Sequence, residues 1–213
     1  MSEPAGVEQP RRGRPRSETA QNAILAAAAE LLLEHGLGEV SMDAVAERAG
    51  VSKATIYRWW PTKETLALDA LYHEWDTVRP SPSDTGPLRD DLLSLLRPWI
   101  RLVRMRPYAR VIAALITEAN TDPKFAEQYR ASFVEPRRKP ARALFKQAIE
   151  RGEIRADTDV EVTLDLALGP IYHRLLHGHA PLTDRFVEAA VDSALAGVAA
   201  PVVTGSPHGR GAG

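Results

Sequence analysis

Cysteine is absent from this chain of 213 residues, and its absence removes several chemistries at once. There is no disulfide, no thiolate metal site and no thiol-based redox sensor to consider. Excess charge of either sign is missing too. Lysine and arginine number 27 against 28 aspartates and glutamates, a net charge of −1, so bulk charge announces no polyanion partner. Long apolar runs are lacking, and no stretch is long and charge-free enough to span a membrane. Arg11–Arg12 followed by Ala23 to Leu33 imitates a twin-arginine signal with its apolar region. Glu18, Glu30 and Glu34 interrupt or flank that stretch, however, and Ile24, Ala28, Leu31 and Leu32 form a stripe, which is the mark of an amphipathic helix. A cytoplasmic protein is expected. Enzyme signatures are also wanting: there is no glycine-rich phosphate loop, no nucleophile elbow and no His-Glu-x-x-His. The carboxylates fall on solvated helix faces or in caps. Neither catalysis nor a cofactor is expected.

What is present is helical punctuation. Residues 1–16 are rich in Pro, Gly, Glu and Arg, almost without apolar content, and read as a disordered basic arm. Arg11, Arg12, Arg14 and Arg16 are suited to a narrow A·T-rich minor groove, where negative potential is concentrated. Residues 17–35 make a first helix, ended by Gly36. From Val40 to Lys63 the chain reads VSMDAVAERAGVSKATIYRWWPTK. Ser41 caps a short helix with Asp43 in its first turn and Met42, Val45, Ala46 and Ala49 on one face. Gly50 is placed for a sharp left-handed turn. Ser52 then caps a second short helix, expected over 52–60, with Val51, Ile56 and Trp60 inward. A small residue at Ala46, a glycine four positions on, and apolar Val51 and Ile56 fit a helix-turn-helix.

Beyond it, Thr62 caps a helix carrying Leu66, Leu68, Leu71, Tyr72 and Trp75. The stretch 79–87 (RPSPSDTGP) is the best domain boundary. Helical patterns follow over 88–105, 107–119, from Asp122–Pro123 to Gly152 with a kink or restart at Pro136 and Pro140, over 158–177 with a kink at Gly169–Pro170, and over 183–198. The tail, 200–213, reads as disordered. No strand pattern emerges, so the expected fold is all-α: a basic arm (1–16), a helix-turn-helix domain (17–78) and a helical second domain (88–199).

The second short helix is the candidate for the major groove. Lys53 and Arg58 can pair with guanine there, and the Thr55 methyl can meet thymine. One such helix reads too few base pairs to select a genomic site, so a homodimer on an inverted repeat is expected, with half-sites about 34 Å apart. The last two helices are rich in Leu, Val and Ala, and two copies would make a four-helix bundle. The interface set is Leu164, Leu168, Tyr172, Leu175, Phe186, Ala190, Val191 and Ala194. Large side chains on the middle helices, Trp99, Met105, Tyr108, Ile112, Ile116, Phe133 and Phe145, are the candidates for an apolar small-molecule pocket. His173 and His177 share a helix face, but no carboxylate stands at matching spacing, and no metal site is expected.

The run AAAAELLLEHGLGEVSMDAVAERAGVSKATIYRWWPTKETL, and within it Gly50–Val51–Ser52, Tyr57, Trp60 and Lys63–Glu64, resembles the DNA-binding domain of the TetR (tetracycline-repressor) family of bacterial transcription regulators. The resemblance is close over a little more than a quarter of the chain and extends to the rest in layout. It implies that Tyr57, Lys63 and Ser41 hold DNA phosphates, which sets register rather than base preference. Where the family pattern has histidine, two residues after the tyrosine, this chain has Trp59. The expected DNA-contacting set is Arg14, Arg16, Ser41, Ser52, Lys53, Thr55, Tyr57, Arg58, Trp59 and Lys63. The resemblance further implies a dimer through the last two helices and a small-molecule inducer that releases a repressor from double-stranded DNA. A transcriptional activator of the same fold and a helical small-molecule binding protein are the alternatives.

Overall fold

The computed structural model describes residues 14–79, 86–105 and 107–199. Among these the regular elements are helices: α1 (Arg14–His35), α2 (Met42–Ala49), α3 (Lys53–Tyr57), α4 (Lys63–Val78), α5 (Leu88–Met105), α6 (Tyr108–Thr121), α7 (Pro123–Tyr129), α8 (Glu135–Glu150), α9 (Val160–His177) and α10 (Asp184–Ala196). An antiparallel bridge joins Ile154 to Ala199. No helix is long and apolar enough to cross a membrane among the described residues.

One boundary differs from that expected. α1 begins at Arg14, inside the stretch read as an unstructured arm. The reason is Pro15, whose fixed φ and missing N–H suit a first helical turn. Arg11 and Arg12 lie outside the described residues, as does the tail from 200. The restart expected at Pro136 is present: α8 begins at Glu135 with Pro136 in its first turn, directly after a π-helical turn over Arg130–Val134. Pro136 has no N–H to offer and its ring crowds the carbonyl four residues back, so the turn before it widens. Pro140 itself lies inside α8.

The chain packs into two compact units that are not contiguous in sequence. The first comprises residues 14–77 and 107–132, the second 78–105 and 133–199. Thus α6 and α7, which follow the boundary expected at 79–87, are packed with α1 to α4. In the first unit the α1 stripe expected to face inward does so: Ile24, Ala28, Leu31 and Leu32 are all buried. Two polar tethers hold α6 in that unit. Tyr108 Oη donates to Glu74 Oε2 of α4 at 3.1 Å. One Arg110 guanidinium nitrogen lies 2.7 Å from both the Leu33 and the Glu34 carbonyl oxygens at the end of α1. A cation on the last carbonyls of a helix satisfies orphan acceptors and complements the dipole. Arg110→Ala is expected to lower stability by about 1 kcal/mol, read from urea unfolding; an unchanged midpoint would rule the tether out.

In the second unit α5, α8, α9 and α10 surround Phe133, Phe145, Leu164, Ile171 and Val191, each at most 1% exposed. Exposed charge pairs tie the helices together: Arg89 to Asp192, Arg97 to Glu188, and Arg138 and Arg142 to Glu161. Hydrogen bonds from Arg142 and Arg138 hold the Glu161 carboxyl down to about 2.

Candidate nucleic-acid interface

The helix-turn-helix is built as its residues dictate. Ser41 Oγ accepts from Ala44 N at 3.2 Å and caps α2. At the other end Gly50 adopts φ 65°, and the Val51 amide returns to the Ala46 carbonyl at 3.0 Å, closing a Schellman turn. Ser52 Oγ accepts from Thr55 N at 3.3 Å and caps α3, with the Thr55 hydroxyl 2.9 Å away. Val45 and Ile56 are fully buried between the helices. Arg48 reaches back from α2 to Glu30 and Glu34 of α1, at 3.2 and 3.4 Å, fixing the motif on its platform.

α3 ends at Tyr57, three residues short of the expected Trp60. Trp60 is buried, as its spacing from Ile56 required, and its Nε1–H donates to Asp69 Oδ2 of α4 at 2.7 Å. Burial pushes the Asp69 carboxyl up, and the Trp60 hydrogen bond pulls it partly back. The end of α3 is therefore bolted to α4 rather than continued.

Lys53, Ser52, Thr55, Tyr57 and Arg58 all lie on the outward side, Thr55 half-buried and the others exposed. Arg58 is the C-cap of α3 and stacks its guanidinium over the Trp59 ring, 4.4 Å from the centroid. Trp59 meets Trp60 edge-on, with centroids 5.7 Å apart. In place of the family's histidine stands an aromatic shelf for Arg58, a cation–π arrangement that limits the rotamers of a long side chain. Lys63 Nζ donates to the Gly38 carbonyl at 3.3 Å, leaving donors to spare. Sequence reasoning missed the role of Asp43, whose Oδ1 lies 2.6 Å from Lys53 Nζ. Arg14 and Arg16 belong to the first turn of α1.

The pocket set is distributed over both units. Tyr108, Ile112 and Ile116 belong to the first unit, and Trp99, Met105, Phe133 and Phe145 to the second. Met105 is 82% exposed, while Trp99, Tyr108, Ile112, Phe133 and Phe145 are buried. Large apolar side chains fill cores before they line cavities, which sequence spacing alone does not separate.

Of the interface set, Phe186, Ala190 and Ala194 line an apolar groove of the second unit. Leu164 and Val191 are buried in the protomer's own core, and Leu168, Tyr172 and Leu175 are half-buried there. Tyr172 stacks on Trp99 with centroids 5.3 Å apart, and burial raises its hydroxyl pKa. The outward face of α9 is instead Val162, Leu166, Pro170 and Leu176. Leu166 and Pro170 join Phe186, Ala189, Ala190, Ser193 and Ala194 of α10 around an apolar groove of about 380 Å³. A helix apolar on two faces was the available signal: one face closes the core and the other is left over. Near the end of α9 the His173 ring lies 4.6 Å from that of His177 and 4.9 Å from that of His179.

Residues 24–75 match the family model described as bacterial regulatory proteins, tetR family, and residues 82–194 the model described as tetracyclin repressor-like, C-terminal domain. The HTH-type transcriptional regulator YdeS of Bacillus subtilis is 41% identical over 198 residues, covering 93% of this chain and 99% of its own. The DNA-binding transcriptional repressor TetR of Mycobacteroides abscessus is 34% identical over 180 residues, covering 84% of this chain and 94% of its own. The crystal structure of the TetR family transcription regulator SCO0332 superposes with a TM-score of 0.71 at 40% identity, over 84% of this chain and 98% of that one. With both halves matched, and with a capped helix-turn-helix bearing its cations outward, this chain belongs to the TetR family of DNA-binding transcriptional regulators.

Proposed function

We propose that the protein is a ligand-responsive repressor that binds an inverted-repeat operator as a homodimer in the cytoplasm. The observation that carries the reading is α3, a short helix fixed at both ends with Lys53, Thr55, Tyr57 and Arg58 facing outward. Lys53 and Arg58 would meet base edges, while Tyr57, Lys63 and Ser41 would hold phosphates. The name of the Mycobacteroides relative supports repression in particular.

The exposed apolar face of α9 and α10 supports the dimer, because an apolar groove rimmed by Leu166 and Phe186 favours a second copy of itself. For the effector, the second unit offers an aromatic interior with buried polar points. Arg137 lies 3.7 Å over the Phe133 ring, and Gln147 Oε1 is a buried acceptor without a hydrogen bond among the described residues. An effector that binds one spacing of the recognition helices better than the other shifts their population. Its chain-level route would be α6, tethered to α1 and α4, and the π-helical turn Arg130–Val134.

The test is selection of random duplexes by the purified full chain at a stated salt concentration. An enriched inverted repeat is the expected result. Lys53→Ala and Arg58→Ala should relax preference at defined bases, while Lys63→Ala should weaken all sequences alike and lower the salt slope by about one. Salt-sensitive binding without any preferred sequence would sink the operator reading.

A further inference from the structure

Of the two exposed carboxylates of α2, Asp43 and Glu47, Asp43 is the one paired with a cation of α3. Asp43 occupies the first turn of α2, and its side chain is 70% exposed. The carboxylate pairs with Lys53 Nζ at 2.6 Å, and Lys53 is the first residue of α3. The start of α2 and the start of α3 are thus linked across the turn at Gly50. The hydrogen bond that Lys53 donates to Asp43 also raises the Lys53 pKa.

An exposed lysine–aspartate pair adds little to stability, so its geometry matters more than its energy. A lysine on a flexible stem serves any phosphate it reaches. Held by a carboxylate, it spends one donor and keeps two, with their direction restricted. Guanine presents two neighbouring acceptors, O6 and N7, to such a group in the major groove. Phosphate oxygens carry a formal negative charge and are repelled by the carboxylate more strongly than the neutral guanine edge.

We propose that Asp43 is a specificity-determining residue that acts through Lys53, aiming its ammonium at a guanine edge and penalising docking that relies on phosphates alone. The inference rests on α3 being the recognition helix.

Two duplexes test it: the one most enriched from random sequence by the wild-type chain, and one of the same composition in scrambled order. Affinities for both are measured at fixed salt for the wild type, Asp43→Asn, Lys53→Ala and the double variant. Asp43→Asn is expected to bind the scrambled duplex several-fold more tightly and to lower the specificity ratio about tenfold. Repeated selection with that variant should show one base pair per half-site losing its preference. In the Lys53→Ala background, adding Asp43→Asn should leave the ratio where it was. An unchanged ratio, or the same fall in both backgrounds, would overturn the proposal. Asp43→Ser, which keeps a residue favoured at a helix start, should repeat the result if either variant is less stable. A wild-type chain that does not distinguish the two duplexes would instead remove the recognition-helix reading beneath it.

Discussion

A chain carrying Leu166→Asp is expected to sediment as a monomer and to lose roughly a hundredfold in affinity for the selected inverted repeat. Leu166 is 58% exposed in the protomer, so aspartate there leaves the fold intact. Across the proposed two-fold axis the same residue would bury an uncompensated carboxylate from each copy, and a buried unpaired charge costs several kcal/mol. Leu164→Asp is the counterpart that separates folding from association. Leu164 is 1% exposed, so that change should unfold the second unit rather than yield a folded monomer. Sedimentation reads both, with circular dichroism to confirm helix content. Retention of the dimer by Leu166→Asp would place the interface elsewhere.

The second large effect lies in the DNA-binding unit. Trp60→Ala is expected to cost about 3–5 kcal/mol, because it empties a packed site and strands a partly buried carboxyl. Trp60 is 2% exposed, and it carries the hydrogen bond to Asp69 that ties the end of α3 to α4. Trp60→Phe keeps most of the volume and removes the donor, which turns the defect into a pH-dependent one. In the wild type Asp69 already titrates above the ordinary carboxylate value, through burial. Without the indole N–H its folded-state pKa climbs further, so the folded state binds more protons than the unfolded chain. Stability then rises as pH falls through the window above 3.8. The Trp60→Phe penalty should accordingly be larger at pH 7 than at pH 4, as thermal unfolding at the two values would show. A penalty of equal size at both would mean that the hydrogen bond contributes nothing.

Much of the DNA-binding half is legible in the amino-acid sequence, because its signals are local. Ser41, Gly50 and Ser52 each determine a cap or a turn within four residues of themselves, and the Ile24–Leu32 stripe needs only a helical period. The interior place of Trp60 follows from its spacing to Ile56. What escapes depends on residues far apart in the chain. Arg110 meets the Leu33 and Glu34 carbonyls across more than seventy positions, and nothing near Arg110 marks it as a helix cap. Asp43 reads as a dipole-friendly first-turn acid, which it is, but its pairing with Lys53 needs the angle between two helices. α9 misleads in another way. Its apolar residues cover two faces, and only the packed unit tells Leu164, turned inward, from Leu166, turned out.

The π-helical turn at Arg130–Val134 falls where the chain leaves one compact unit for the other, its third passage after those near residues 77 and 105. Recombination between relatives would respect that thread. A chimera spliced at residue 79, where the sequence invites a cut, would inherit α1 to α4 from one parent and their companions α6 and α7 from another. Arg110 and Tyr108 would then face foreign surfaces. Grafting residues 107–132 along with 14–77 keeps the first unit whole, so the compact unit that holds the helix-turn-helix is two pieces of chain rather than one.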